Sequence, residues 1–462
     1  MGRTLKAGLR RIAEPSSGGR PAESLSTAAW QGYYLAAHLR ARVNEGHVFP
    51  GKAEPAPSDH VPTPELFRSH ITENLVPFWE RHSVDEEFGG FVHHLDREGR
   101  PFSWDKYSVK QGRMVYAFSV AYDLTREPRH REIAGRGIDF LMGKMWDPGG
   151  GGWYRSTRRD GEPLDRQKFV IDQGYAILGL LEYHRVTQDG AALGYATAGC
   201  ELVRRHAWDP DLRGYFGSCE RDWSPDSTLK VISAQLAMLD AFAYLHRATG
   251  EAEHLERLSE SADIVVDLMR DHRRGNVRAN FSRDWRYEPT RSRGVVWIGY
   301  NLKTARFLLR TATLTGRDDL FRAGVEIVEF CLRHGWERRN GGFFQFVYPN
   351  GLLASWRKLW WVQCEGMITL MLLYRLTGDP RYRRRFEQVS RFAFAHFVDP
   401  VHGEWFTSCD GTGRVIDTTK AYAWKAGFHT VQASYLVHHL LAGTAPEGSA
   451  ELPTPASAST VS

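Results

Sequence analysis

Residues 147–188, DPGGGGWYRSTRRDGEPLDRQKFVIDQGYAILGLLEYHRVTQ, contain in one run the elements that decide the fold. The run starts with an acidic residue, glycines and an aromatic residue, a combination typical of a tight hairpin because glycine adopts positive φ at little cost. A polar turn and Lys168 follow. The remainder places apolar residues at i, i+3, i+4 and i+7, which predicts an amphipathic helix. The unit is therefore a short hairpin that leads into a long helix.

This unit recurs along the chain at a nearly constant interval. Intervals of 62 residues separate the acidic residues of successive copies, and one gap of 128 residues is filled by a degenerate copy. The further copies are DEEFGGF from Asp85, DPDLRGYF from Asp209, the degenerate DHRRGNVRANF from Asp271, ERRNGGFF from Glu337 and DPVHGEWF from Asp399. Lys168, Lys230, Lys358 and Lys420 each lie 21 residues after the acidic residue of their unit. Six repeated units predict a repeat architecture.

Each unit contains a second helical segment, so about twelve helices are expected once the segment at 64–82 is counted. Six helical hairpins of fixed period can close into a ring, whereas an open solenoid is the alternative. The first helix is left to pair with the last, at 421–441, which favours closure. The sequence therefore predicts an all-α fold, an (α/α)6 barrel with short β-hairpins in the loops. Residues 61–443 are expected to form the barrel, after a basic, loosely ordered extension at 1–60 and before a disordered tail at 444–462.

Composition excludes several classes of protein. The net charge of +5 arises from the first 42 residues, which hold seven basic and two acidic residues, so the predicted barrel is neutral and a nucleic-acid partner is not expected. The five cysteines form no CxxC pair, and no apolar run reaches the roughly 18 residues that span a bilayer. The N-terminus has no apolar segment typical of a secretion signal. We expect a cytoplasmic protein, monomeric or homodimeric, without metal or other cofactor.

Chemistry is expected where the units differ from one another. At the start of the inner helices the chain reads KQGR at 110–113, GYNLK at 299–303, WWVQCE at 360–365 and KAGFH at 425–429. These segments occupy equivalent positions, so a closed ring would direct all of them toward one cavity. The 15 tryptophans fit an aromatic-lined carbohydrate site, although large cores also contain tryptophan.

The order of these motifs resembles the N-acylglucosamine 2-epimerase family. The resemblance rests on GGF followed by LDREGRP, VKQGRMVYAFSVAYDL, GGWYRSTRRDGEPLDRQKFVIDQGYAILGLLEY, LWWVQCEGMITLMLLYRLTGD and KAGFHT, and it extends from about Pro64 to Leu441. The family includes cellobiose 2-epimerases and aldose-ketose isomerases. The resemblance implies an (α/α)6 barrel that acts, without a cofactor, on the open-chain form of a sugar. The reaction removes the proton next to the carbonyl and passes through an enediolate.

The resemblance also implies roles for four residues. His429 in KAGFHT matches the C-terminal catalytic histidine, and Arg113 matches the arginine that contacts substrate oxygens near the carbonyl. Trp361 matches a tryptophan that stacks on the sugar, and Glu365 matches the polar partner that orients the site. A structural alternative exists for each of them. For Glu365 it is an ion pair with Lys358 or Arg357.

The fourth unit departs from the family pattern. The family commonly has Gly-His-Asp-Ile-Glu where this chain has GYNLK, so Tyr300 replaces the second catalytic histidine and Lys303 replaces its carboxylate. A free tyrosine has a pKa of about 10 and is a poor base near neutral pH. Lys303 lies three residues further on the same helical face, and it can favour the phenolate. One hypothesis is a Tyr300–Lys303 pair that replaces His–Glu; the other is that the second base has been lost.

Three functions remain open on the sequence. The first is sugar isomerisation or epimerisation at C2, either with one base or completed by Tyr300. The second is a catalytically inactive barrel that binds a saccharide, and the third is a glycoside hydrolase or lyase. Asp96, Asp160 and Asp172 are the candidate carboxylates for hydrolysis, but the first two lie in turns where aspartate is locally favoured. The adjacent histidines at 93–94 and 438–439 make poor metal ligands because neighbouring side chains diverge.

Overall fold

The computed structural model describes residues 61–226 and 228–450. In that part of the chain the predicted helical hairpins are present, and most inner helices are 18 residues long. The twelve helices of the described residues are α1 (Pro64–Ser69 and Val76–Ser83, joined by the π-helical segment His70–Leu75), α2 (Ser108–Thr125), α3 (Pro128–Phe140), α4 (Val170–Thr187), α5 (Gly190–His206), α6 (Ile232–Thr249), α7 (Ala252–Asp263), α8 (Ile298–Thr315), α9 (Asp318–Phe330), α10 (Trp360–Thr377), α11 (Pro380–His396) and α12 (Phe428–Ala442). Further π-helical segments extend α3, α7 and α9 at Leu141–Met145, Ile264–Met269 and Cys331–Gly335.

The even-numbered helices form a closed inner ring, and the odd-numbered helices lie outside it. Each inner helix packs against the next one along the chain, and α12 packs against α10, α2 and α1. The contact between α12 and α2 closes the ring, so the predicted (α/α)6 barrel is confirmed and the open solenoid is excluded. Most of the inner helix surfaces are buried, with apolar side chains that face the outer helices.

Short antiparallel strands link neighbouring units, as predicted for the loops. A strand that precedes an inner helix pairs with a hairpin strand of the next unit: β1 with β2, β4 with β5, β6 with β9, β10 with β11 and β12 with β13. The strands are β1 (Lys106–Tyr107), β2 (Ser156–Thr157), β3 (Pro163–Asp165), β4 (Lys168–Phe169), β5 (Ser218–Cys219), β6 (Lys230–Val231), β7 (Arg270–Asp271), β8 (Asn276–Val277), β9 (Asn280–Phe281), β10 (Val296–Trp297), β11 (Phe346–Val347), β12 (Lys358–Leu359), β13 (Ser408–Cys409) and β14 (Val415–Asp417). The pairing fixes the loops at one end of the ring.

A buried ion pair explains the 21-residue spacing seen in the sequence. Nζ of Lys168 lies 3.3 Å from Asp147, and Arg221 of the next unit reaches the same carboxylate at 2.9 Å. Burial lowers the pKa of Lys168 to about 8, although the carboxylate opposes that shift. The equivalent pairs are Lys106 with Asp85, Lys230 with Asp209, Lys358 with Glu337 and Lys420 with Asp399. The fourth unit has no such lysine, since Val296 occupies the equivalent place in the strand before the inner helix.

A glutamine at the start of four inner helices fixes each of them to its hairpin. Nε2 of Gln173 donates to the carbonyl of Trp153 at 2.7 Å, and Oε1 accepts from the Trp153 amide at 2.8 Å. Gln111, Gln235 and Gln363 make the same two bonds in their units, and Asn301 does so in the fourth. The register of the first helical turn is therefore the same in the first five inner helices.

The last inner helix starts later than the sequence predicted. It begins at Phe428 rather than near 421, because Ala421 pairs with Leu95 of the first unit and the chain stays extended there. In this unit Lys425 replaces the glutamine and donates to the carbonyl of Trp405. The first and last units are thus joined by backbone hydrogen bonds as well as by helix packing.

The chain ends lie largely outside the described residues. The predicted extension at 1–60 lies entirely outside them, and so do residues 451–462 of the predicted tail. Of the remaining tail residues, Ser449 accepts a hydrogen bond from Arg247 at 3.1 Å, and Ala450 is buried. None of the helices in the described residues has the length and apolar character that crossing a membrane requires.

Candidate active site

The fixed register brings one position of each inner helix to the same level of the ring. It is the sixth residue, two positions after the glutamine. The residues at this level are Arg113 on α2, Tyr175 on α4, Ala237 on α6, Lys303 on α8 and Glu365 on α10. All five are buried, and four of them carry polar groups that the cores of soluble proteins seldom contain without a partner. The chemistry of the site is therefore concentrated in one layer.

His429 and Glu365 form the first pair in this layer. Nδ1 of His429 lies 3.5 Å from Oε1 of Glu365. Burial would raise the pKa of the Glu365 carboxyl, but the Arg306 guanidinium, 3.1 Å away, and His429 lower it to about 2. Burial lowers the pKa of His429 to about 3, against the opposing effect of Glu365. At neutral pH the carboxylate is ionised and the imidazole is neutral. In the tautomer that carries its proton on Nδ1, the atom facing the carboxylate, Nε2 is available as a base.

Arg113 lies between helices α4 and α12. Its guanidinium carbon is 4.0 Å from the ring centre of Tyr175 and 5.8 Å from that of Phe428, and one terminal nitrogen donates to the carbonyl of Trp424 at 3.2 Å. Its Nε is buried and has no hydrogen-bond partner. Arg113 is also close enough to His429 to lower its pKa. A guanidinium with an unsatisfied donor beside a histidine base is suited to stabilise an oxyanion formed there.

Lys303 does not pair with Tyr300, which corrects the pairing predicted from the sequence. Its amine donates to the hydroxyl of Tyr175 on α4 at 2.7 Å. Burial and the neighbouring Tyr175 raise the pKa of Tyr300 to about 12, so Tyr300 remains a neutral phenol at physiological pH. The i, i+3 spacing failed as a guide because the site faces the ring centre, where residues of different helices meet.

Tyr300 and Trp361 belong instead to an aromatic group above His429. Their ring centres are 5.5 Å apart, and Trp361 lies 5.8 Å from His429. Both side chains are partly exposed. Gly299 allows this packing, since a Cβ at that position would lie 2.3 Å from the Trp361 ring. A partly exposed tryptophan beside the histidine offers a flat apolar surface for a sugar ring.

Glu365 is not paired with Lys358 or Arg357, which were its structural alternatives. Lys358 lies 3.5 Å from Glu337 and belongs to the repeated ion pairs, whereas Glu365 is paired with Arg306, eight residues after the start of α8. Arg306 also approaches Gln432 at 3.4 Å. The carboxylate is thus part of the site.

A second cluster of polar residues lies near Arg113, and its first member, Lys110, is on the preceding turn of the same helix. Lys110 is fully buried, its amine has no hydrogen-bond partner, and burial lowers its pKa well below the usual value. Burial raises the pKa of Asp172 to about 7, although Arg155, 4.0 Å away, opposes that shift. His93 accepts from the backbone amide of Tyr107 at 3.0 Å. These residues extend the polar surface beyond the layer that contains His429.

The other sequence candidates have local structural roles. Asp96 accepts backbone amides of its own turn, and so does Asp160. His438 and His439 bind different partners, the carbonyl of Pro64 and the hydroxyl of Thr444. Among the described residues, no three His, Cys, Asp or Glu side chains are grouped so that they could hold a metal ion. The five cysteines are all buried and unpaired.

Sequence reasoning missed Tyr175 and Arg306. Tyr175 was detectable, because QGY in the second unit aligns with QGR in the first and places the tyrosine at the position of Arg113. Arg306 gave a weaker signal, an arginine on the apolar face of a predicted inner helix.

Comparison with known proteins agrees with the fold. The sequence model of a family described as N-acylglucosamine 2-epimerase (GlcNAc 2-epimerase) matches residues 89–433. A cellobiose 2-epimerase from Bacteroides fragilis is 27% identical over 378 residues, which cover 78% of this chain and 95% of that protein. An N-acylglucosamine 2-epimerase from Bos taurus is 29% identical over 394 residues, or 81% and 91% of the two chains. The solved structure of a cellobiose 2-epimerase from Bacillus thermoamylovorans shares the fold, with a TM-score of 0.76 at 21% identity over 81% of this chain and 98% of that one.

Proposed function

The chain belongs to the N-acylglucosamine 2-epimerase family, and we propose that it transfers a proton at C2 of an open-chain aldose or of a reducing-end sugar. His429 is the base. The observation that carries the proposal is the His429–Glu365 pair, in which an ionised carboxylate holds a neutral imidazole with one nitrogen available. The same carboxylate keeps the imidazole in one tautomer, as an orienting acid does in other histidine-based sites.

The reaction starts with removal of the C2 proton by Nε2 of His429. The carbon–hydrogen bond breaks, a double bond forms between C1 and C2, and the electron pair of the carbonyl moves to its oxygen. Arg113 stabilises the resulting enediolate, because its buried Nε is an unsatisfied donor and the site excludes most water. Trp361 provides the surface on which the sugar ring or its open chain rests. Delivery of a proton to the opposite face of C2 completes epimerisation, whereas delivery of the proton to C1, with transfer of the O2 proton to O1, gives the ketose.

Hydrogen exchange with solvent tests this proposal. Candidate sugars such as glucose, mannose, N-acetylmannosamine and cellobiose are incubated with the protein in deuterated water, and NMR follows deuterium at C2. We expect incorporation with at least one sugar and a fall of about 100-fold or more in His429→Ala. His439→Ala is the matched control, because His439 lies on the same helix and contacts Thr444 away from the site.

Two other outcomes identify the alternative functions. Thermal stabilisation by sugars without any exchange indicates a saccharide-binding barrel that does not turn over. Release of new reducing ends from oligosaccharides indicates a glycoside hydrolase. Hydrolysis is the less suitable chemistry here, because Glu365 is occupied by Arg306 and His429 and therefore is not positioned as a free acid or nucleophile.

A further inference from the structure

Lys303 and Tyr175 make a contact across the inner ring. Their helices, α8 and α4, are not neighbours in the ring, since α6 lies between them. The amine nevertheless reaches the phenol oxygen at 2.7 Å, and it lies 5.1 Å from the centre of the same ring. Among the described residues, no carboxylate forms an ion pair with Lys303. The Tyr175 hydroxyl is therefore the polar group that accepts a hydrogen bond from the buried Lys303 amine.

Two cations act on this one phenol. Lys303 approaches its oxygen, and the Arg113 guanidinium stacks on its face at 4.0 Å. Burial alone raises the pKa of Tyr175, but the two cations outweigh it, and the pKa lies below its ordinary value. Tyr300, three residues before Lys303 on α8, has a raised pKa. The environment of Tyr175 thus favours loss of its proton more than that of its aromatic neighbour.

Tyr175 and His429 lie on either side of Arg113. They are on α4 and α12, the two helices that flank α2 in the ring. The Phe428 ring lies 5.3 Å from Tyr175 and 4.8 Å from Tyr116 on α2, so the residue adjacent to His429 in sequence contacts both helices. An enediolate bound to Arg113 would therefore lie between two groups, His429 on the side of α12 and the Tyr175 phenol on the side of α4.

On the premise of the proposed epimerase function, we propose that Tyr175 is the second proton-transfer residue of the reaction and that Lys303 positions it and stabilises its phenolate. His429 removes the C2 proton and becomes imidazolium, and the electron pair of the broken bond enters the enediolate. Tyr175 donates its hydroxyl proton to the opposite face of C2, the enediolate electrons form the new bond, and a phenolate remains beside Lys303. In the reverse direction the phenolate removes the proton and His429 returns one. Exchange of both groups with solvent restores the starting state.

Product stereochemistry tests the role of Tyr175. The wild-type protein and Tyr175→Phe are compared on a sugar that shows C2 exchange in the wild type, with epimer formation and deuterium incorporation followed separately. We expect Tyr175→Phe to lose epimer formation by about 100-fold or more, while His429-dependent exchange continues with retained configuration. Tyr183→Phe is the matched control, because it removes a hydroxyl from the same helix, α4, outside this layer. Exchange by Tyr175→Phe also shows that the variant is folded.

The pH profile tests the role of Lys303. If a tyrosine is the acid, the rate of epimerisation decreases at alkaline pH because the phenol loses its proton. The Lys303 cation favours the phenolate, so this decrease occurs at lower pH than it would without the lysine. In Lys303→Met we expect a slower reaction whose alkaline limb is displaced to higher pH, and in Lys303→Arg we expect a limb near that of the wild type. Normal epimer formation by Tyr175→Phe, or an unmoved alkaline limb in Lys303→Met, overturns this inference while leaving the exchange reaction in place. Absence of exchange in the wild type with any sugar overturns the proposed function itself.

Discussion

Replacement of Glu365 by glutamine separates the structural from the chemical role of the buried pair. The carboxylate is fully buried, and its two oxygens accept hydrogen bonds from the Arg306 guanidinium at 3.1 Å and 3.5 Å. Glu365→Gln keeps the volume but leaves the Arg306 charge buried without its counterion. Removal of one member of a buried pair typically costs about 3–5 kcal/mol. We expect a value near the lower end, about 3 kcal/mol, because Gln432 still offers an oxygen to Arg306.

The double variant Arg306→Met with Glu365→Gln removes both charges. Replacing a whole buried pair by uncharged groups of similar size is often neutral within about 1 kcal/mol, so most of the lost stability should return. Activity should not return, because His429 has lost the carboxylate that fixes its tautomer and supports its basicity. Urea denaturation measures the free energy of unfolding, and deuterium incorporation measures activity. A single variant that costs less than about 1 kcal/mol, or a double variant that regains exchange, refutes the reasoning.

Two further predictions concern acid stability and the aromatic group. Burial lowers the pKa of His70 to about 3. Below pH 6.5 the histidine therefore binds a proton in the unfolded chain but stays neutral in the folded one. The free energy of unfolding should fall between pH 6.5 and 3, by on the order of 4 kcal/mol for this residue. His70→Asn keeps an acceptor for Trp405 and should flatten the pH dependence of urea midpoints; an unchanged slope contradicts the assignment. Gly299→Ala places a Cβ 2.3 Å from Trp361 and should cost about 1–3 kcal/mol and weaken sugar-dependent thermal stabilisation. In contrast, Gly194→Ala in α5, which meets no atom within 4 Å, should be neutral or stabilising, and equal effects of the two substitutions would contradict the steric argument.

The fold was predictable because its determinants are local and repeated. The acidic residue of each hairpin and the lysine 21 residues later form a buried ion pair, so the spacing visible in the sequence is the trace of a contact. The strand-to-helix transition lies just after that lysine. The start of α12 was predicted too early because its unit differs in a non-local way, through the pairing of Ala421 with Leu95 at the far end of the chain.

The proximity of the candidate residues was predictable, but their partners were not. Arg113, Trp361 and His429 were singled out by motif, and the structure places them together with Glu365. The predicted partner of Lys303 was wrong. Its partner Tyr175 is 128 residues distant in sequence and contacts Lys303 only because the ring closes. Contacts across the ring depend on the position of every inner helix, which no single motif encodes.

The shared register of the first five inner helices has a consequence for protein engineering. The contacts that attach these helices to their hairpins involve the fourth helical residue and, in most units, the lysine of the preceding strand, whereas the functional side chains occupy the sixth helical residue. A saturation library restricted to positions 113, 175, 237, 303 and 365 would therefore vary the catalytic repertoire while sparing the attachment contacts. Within such a library, most members should express as folded barrels, so that selection acts on substrate turnover rather than on solubility.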